Sequence, residues 1–165
     1  MTPDTDTLHK TSITTPSDTQ IRVERTFDAP REMLWEAHTN ADLLAEWLGP
    51  HGTEMKVELD PRPGGTYRWA GSAGGGEYVF FGEYREVSEP DVIEMTFAWE
   101  NSGYPPSIER TEFIEIEGGR TKLVTLSTFE SKDLRDGMLE SGMETGVNDG
   151  YEKLDAIVAR RQGKS

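Results

Sequence analysis

The chain of 165 residues contains no cysteine. That absence excludes disulfides, thiolate nucleophiles and cysteine metal sites together. Basic residues are scarce beside acidic ones, 17 against 31, and the formal net charge is −14. Such a surface repels phosphate backbones and anionic lipid leaflets, so neither nucleic acid nor a membrane is expected as a partner. No apolar run approaches the roughly 18 residues that a membrane span needs, and Met1-Thr2-Pro3-Asp4 is too polar for a secretory signal. A cytoplasmic location is expected. Histidine is limited to His9, His38 and His51, none in His-x-x-x-His spacing. The chain also lacks a Gly-x-Ser-x-Gly elbow, a zinc pattern and a dinucleotide fingerprint. No catalytic residue, metal site or cofactor is therefore expected.

What is present starts with a β-like run. Ile21, Val23, Arg25 and Phe27 alternate against Arg22, Glu24 and Thr26 up to Asp28-Ala29-Pro30. Asp28 suits a helix cap, and Pro30 suits a first turn whose N–H groups lack intrahelical partners. Met33, Leu34 and Ala37 fall at helical spacing beside Trp35; Thr39-Asn40 breaks that helix. Leu43, Leu44, Trp47 and Leu48 form a second apolar face, which Gly49-Pro50 ends.

Strand candidates follow over Thr53 to Leu59, Gly65 to Gly71, Glu77 to Val87, Val92 to Glu100, Ile108 to Glu117 and Thr121 to Phe129, separated by Gly- and Pro-rich turns. With the first strand they predict seven antiparallel strands joined by hairpin-length turns. The cluster Gly74 to Gly76 precedes a strand and not a helix, which argues against a phosphate-binding loop. After a cap at Ser131-Lys132-Asp133, the residues Leu134, Met138, Leu139, Val147, Tyr151, Leu154, Ile157 and Val158 predict one long amphipathic helix. Gly137, Gly142, Gly146 and Gly150 interrupt it, each costing up to about 1 kcal/mol against Ala; close packing of the helix over the sheet is the favoured reason, with local loosening to admit a ligand as the alternative. Residues 1–18 are polar and aperiodic and read as a flexible tail before a single domain over 19–163.

The order strand, two short helices, strands, long helix resembles the START-like (SRPBCC, helix-grip) superfamily. Within it, the chain is similar to homologues of the activator of heat-shock protein 90 ATPase. Arg25-Thr26-Phe27-Asp28-Ala29-Pro30, Leu34-Trp35-Glu36-Ala37, and Leu44 with Trp47, Gly49 and Pro50 carry the likeness. Pro63 to Arg68, Gly82 to Val87, Gly118 to Leu123 and Gly142-Met143 extend it, while Leu48 stands where relatives often have a second Trp. The resemblance implies an α+β fold, a seven-stranded antiparallel sheet wrapped around a long C-terminal helix, with two short helices after strand one. It also implies a sheet–helix gap of the kind that commonly binds apolar or aromatic small molecules.

Strand alternation shows which side chains face that gap. Tyr67 and Trp69 share a face, as do Tyr78, Phe80, Gly82 and Tyr84, and then Ile93, Met95, Phe97 and Trp99. Gly82 stands among large neighbours where a side chain would fill space. The expected ligand-binding residues are Trp47, Tyr67, Trp69, Phe80, Gly82, Tyr84, Phe97, Trp99, Met138, Met143 and Val147. The same stripes also suit an ordinary filled core. Binding of an apolar or aromatic small molecule ranks first, a polyketide cyclase- or aromatase-like enzyme second, and a co-chaperone stimulating a chaperone ATPase third. For the enzyme, Glu83 and Arg68 are the polar side chains nearest the aromatic strands, although both suit solvent-facing positions. His38 reads as a solvated residue complementing a helix C-terminus, and His51 as a loop residue bordering the cavity mouth. A homodimer is as consistent with the sequence as a monomer.

Overall fold

The computed structural model describes residues 9–73 and 76–163. Gly74 and Gly75 of the glycine cluster, and residues 1–8 of the segment read as a tail, lie outside the described residues. Among the described residues eight strands occur in chain order: β1 Ser12–Thr14, β2 Gln20–Phe27, β3 Glu54–Leu59, β4 Thr66–Ala73, β5 Gly76–Ser88, β6 Val92–Trp99, β7 Ser107–Ile116 and β8 Arg120–Thr128. Two helices, α1 Arg31–Thr39 and α2 Ala41–Trp47, separate β2 from β3; α3 Lys132–Glu140 and α4 Met143–Arg161 close the chain.

All strands join one antiparallel sheet in the order β1-β2-β8-β7-β6-β5-β4-β3. The expected meander is there, with eight strands where seven were expected. The extra one falls in the segment read as tail: Ile13 pairs with Val23 at the sheet edge. The short helices consequently follow the second strand. Pairing of β2 with β8, Phe27 opposite Thr121, ties the start of the domain to its last strand.

The expected single C-terminal helix is two. Gly142, at φ +89, lies in the left-handed region and divides α3 from α4. The glycines around it differ. A Cβ at Gly150 would come within 2.9 Å of the Trp47 carbonyl oxygen, so α4 lies close on α2, a helix and not the sheet that was expected to be its close neighbour there. Gly137 meets nothing within 4 Å, and close packing does not explain it. Ser131 caps α3, its Oγ accepting from the Leu134 N–H at 3.2 Å. Asp28 does not cap α1; the cap position is Pro30, and Asp28 instead lies 3.5 Å from the Arg120 guanidinium.

The core lies between the helix-facing side of the sheet and the helices. Ile21, Phe27, Phe113 and Leu123 meet Leu34, Trp35, Tyr151 and Leu154, all buried. Trp35 packs on Phe113 with ring centroids 5.2 Å apart. Arg25, on the apolar phase of β2, is buried there too. It donates to the Tyr151 carbonyl at 3.0 Å and to Asp155 at 2.7 Å, pinning α4 to the sheet. No described helix is long and apolar enough to cross a membrane.

Candidate functional site

The inner faces of β4, β5 and β6 bring Tyr67, Trp69, Phe80, Tyr84 and Phe97 into one aromatic cluster. Tyr67 lies 4.7 Å from Trp69 and 5.5 Å from Tyr84, and Phe80 stacks on Phe97 at 4.9 Å. The alternation read from these strands is thus realised in space. The members differ in access. Tyr67 and Tyr84 are buried, whereas Trp69, Phe80, Phe97, Met138, Met143 and Val147 are half-buried despite facing the helix-covered side or sitting on α3 and α4.

Three expected lining residues have other surroundings. Trp47 is a core peg, its indole N–H donating to the Ala37 carbonyl at 2.9 Å between His38 and Tyr151. Trp99 lies at the rim, 49% exposed and stacked on Tyr104. Gly82 does not open a space: a Cβ there would stand 2.0 Å from the Thr96 carbonyl oxygen and 2.8 Å from the Tyr67 hydroxyl. That hydroxyl donates to the Thr96 carbonyl, and the Glu83 N–H to the Thr96 hydroxyl, where β5 and β6 lose regular pairing. Glycine at position 82 therefore serves a close backbone approach. Glu83 and Arg68 are exposed on the opposite face, with Arg68 3.5 Å from Glu100.

A polar group absent from the sequence reading lies beside the cluster. Glu109 on β7 points to the helix side, opposite Met95 of β6 and Ser127 of β8. It accepts from Ser127 Oγ at 2.9 Å and Ser107 Oγ at 3.3 Å. Burial raises its pKa to about 7, outweighing the two serine donors, which act in the other direction. Among the described residues no Lys, Arg or His pairs with it. Thr111 and Thr125 continue this polar strip, their hydroxyls 3.1 Å apart. Burial also raises the Tyr84 and Tyr151 phenols to about 12, and Tyr67 in the same direction, so all three stay neutral hydroxyls at ordinary pH.

His38 is not solvated as expected. Its Nδ1 lies 2.8 Å from the Leu34 carbonyl, and its ring sits 4.9 Å from Trp47 and 5.0 Å from Phe113. Burial lowers its pKa to about 4, leaving the imidazole neutral. His51 meets Asp149 and Glu152 of α4, its Nε2 3.2 Å from Glu152. The three make a surface cluster that residue spacing could not reveal, since about a hundred positions separate the partners. A wide cleft of about 540 Å³ beside the β3–β5 edge shares only Tyr67 and Gly82 with the expected site.

An antiparallel sheet packed on C-terminal helices, with two short helices inserted after an early strand, defines a helix-grip protein. The chain belongs to the family described as Activator of Hsp90 ATPase homolog 1-like protein, whose sequence profile matches residues 28–159. A solved structure from Rhodobacter sphaeroides is similar at 25% identity and TM-score 0.83, over 90% of this chain and 98% of the other. One from Chromobacterium violaceum has 27% identity and TM-score 0.76, over 86% and 98%. An HSP90 activator from Plasmodium falciparum shares the fold at 21% identity and TM-score 0.64, over 86% and 96%. No curated protein matches the chain.

Proposed function

We propose that the protein binds an apolar or aromatic small molecule between the inner face of β4–β6 and the helices α3 and α4. One observation carries this reading. Trp69, Phe80 and Phe97 face the helix side, yet they keep solvent access that a filled core would remove. Met138 and Met143 supply adaptable cover from the helices. The indole N–H of Trp69 has no acceptor among the described groups, a gap in satisfaction that an occupant can fill.

A thermal-shift screen of flavonoids, polyketides, sterols and fatty acids tests the proposal. A ligand at 100 times its dissociation constant stabilises the fold by about 2.7 kcal/mol, a readily measured shift. Phe97→Ala should weaken that shift, and no shift from any class would refute the reading. The enzyme alternative draws on Glu109, whose pKa near 7 suits proton transfer. Conversion of a polyketide substrate that Glu109→Gln abolishes would favour it. The partner-protein alternative draws on the family's description and on the exposed aromatics Phe81, Trp99 and Tyr104. Stimulation of a chaperone ATPase, lost in Trp99→Ala, would favour that one.

A further inference from the structure

Glu109 is an unusual group to find on the inner face of an aromatic cluster. A buried carboxyl ordinarily has a cationic partner, because its charged form loses water without compensation. Here the neighbours are Met95 across the β6 pairing, Ser127 across the β8 pairing and Ser107 along β7. Phe97 lies one diagonal step away, and Trp69 is 6.0 Å from Phe97. The two serines use part of the carboxylate's acceptor capacity, and among the described residues no Lys, Arg or His takes the rest. Arg25, a buried cation on β2, donates instead to Asp155 and to the Tyr151 carbonyl. Among the described residues, the titratable groups facing the strip include Tyr67 from β4, Tyr84 from β5 beyond Met95 and Tyr151 from α4, all neutral at ordinary pH. Glu109 as a whole residue keeps partial solvent access although its carboxyl is desolvated.

A carboxylate on the same side of the sheet as Tyr67, Trp69 and Phe97 is chemistry suited to an ammonium group. The carboxylate supplies the counter-charge, and aromatic faces attract a desolvated cation. Resting on the ligand-binding reading above, we infer that the ligand class is an apolar or aromatic molecule bearing one cationic amine, with Glu109 as its anchor. Anionic amphiphiles such as fatty acids are disfavoured at the same site, since their carboxylate would stand against Glu109.

Three probes of one shape separate the possibilities: naphthalen-2-ylmethylamine, naphthalen-2-ylmethanol and 2-naphthoate, titrated calorimetrically in moderate salt. At about pH 8 the amine should bind at least about tenfold more tightly than the alcohol, and 2-naphthoate most weakly. The amine's advantage should shrink at about pH 5.5, where Glu109 gains its proton. In Glu109→Gln the amine and alcohol should bind alike. An alcohol that binds wild type as tightly as the amine overturns this inference and leaves the ligand-binding reading standing. An amine preference that survives Glu109→Gln also overturns it, assigning the preference to the overall negative charge. No binding of any probe overturns this inference, while the wider ligand screen decides the parent reading separately. Should Glu109→Gln fail to fold, the wild-type pH profile decides: an amine-to-alcohol ratio independent of pH refutes the role of Glu109.

Discussion

Replacing Glu109 by Gln keeps the shape of the side chain and removes its titration. Burial raises the carboxyl from 4.5 to about 7 in the folded protein. Between those values the native state holds a proton that the unfolded chain has released. Folding stability therefore falls as pH rises through that window, and is independent of this group below 4.5 and above about 7. At about 1.4 kcal/mol for each pH unit, the loss totals about 3 kcal/mol. Glu109→Gln should carry a fixed cost for its amide beside the serines, and should gain about 3 kcal/mol on wild type between acid and neutral pH.

Urea unfolding of both proteins across this range gives the comparison, since other titrating groups largely cancel in the difference. The difference matters because His38 works in the opposite sense. Its pKa is lowered from 6.5 to about 4, so the unfolded state binds the proton first and stability is lost as pH falls between those values. The two slopes offset one another in the wild-type curve. A Glu109→Gln difference that does not change with pH would refute the buried, unpaired state of this carboxyl.

Other substitutions test the packing. Asp155→Ala should cost about 3–5 kcal/mol in urea unfolding, because it strands the buried Arg25 guanidinium. Gly82→Ala should destabilise by at least about 1–3 kcal/mol before any ligand is added, because its Cβ would run into the fixed Thr96 carbonyl; an unchanged midpoint would contradict the close approach. Gly137→Ala, at an exposed helical position with open space around it, should stabilise by up to about 1 kcal/mol in the same assay.

Much of the fold was legible because its signals are local. Alternation over Val92–Trp99 and the turn residues between hairpins located the strands to within a residue or two. β1 escaped because three residues with one apolar side chain, Ile13, carry no periodicity; its pairing with β2 supplies the order. The break at Gly142 was visible as a glycine, but the left-handed turn it adopts was not, since the apolar spacing runs on across it.

The aromatic half of the candidate site followed from strand phase, and the polar group proposed beside it did not. β7 carries Ile108, Ile114 and Ile116 on one phase and Glu109, Thr111 and Phe113 on the other. Hydrophobicity alone selects the isoleucine phase as inward, yet Ile114 is 38% exposed while Phe113 is buried. Tertiary pairing settles the choice: Phe113 sits opposite Leu123 and against Trp35, which fixes Glu109 on the same side. Arg25 makes the complementary case, a charge on an apolar phase whose partner, Asp155, lies 130 residues further along the chain. In both strands the polar residue in the apolar register marked the interior chemistry. The two differ in what completes them: Arg25 finds its counter-charge within the chain, and among the described residues Glu109 finds none.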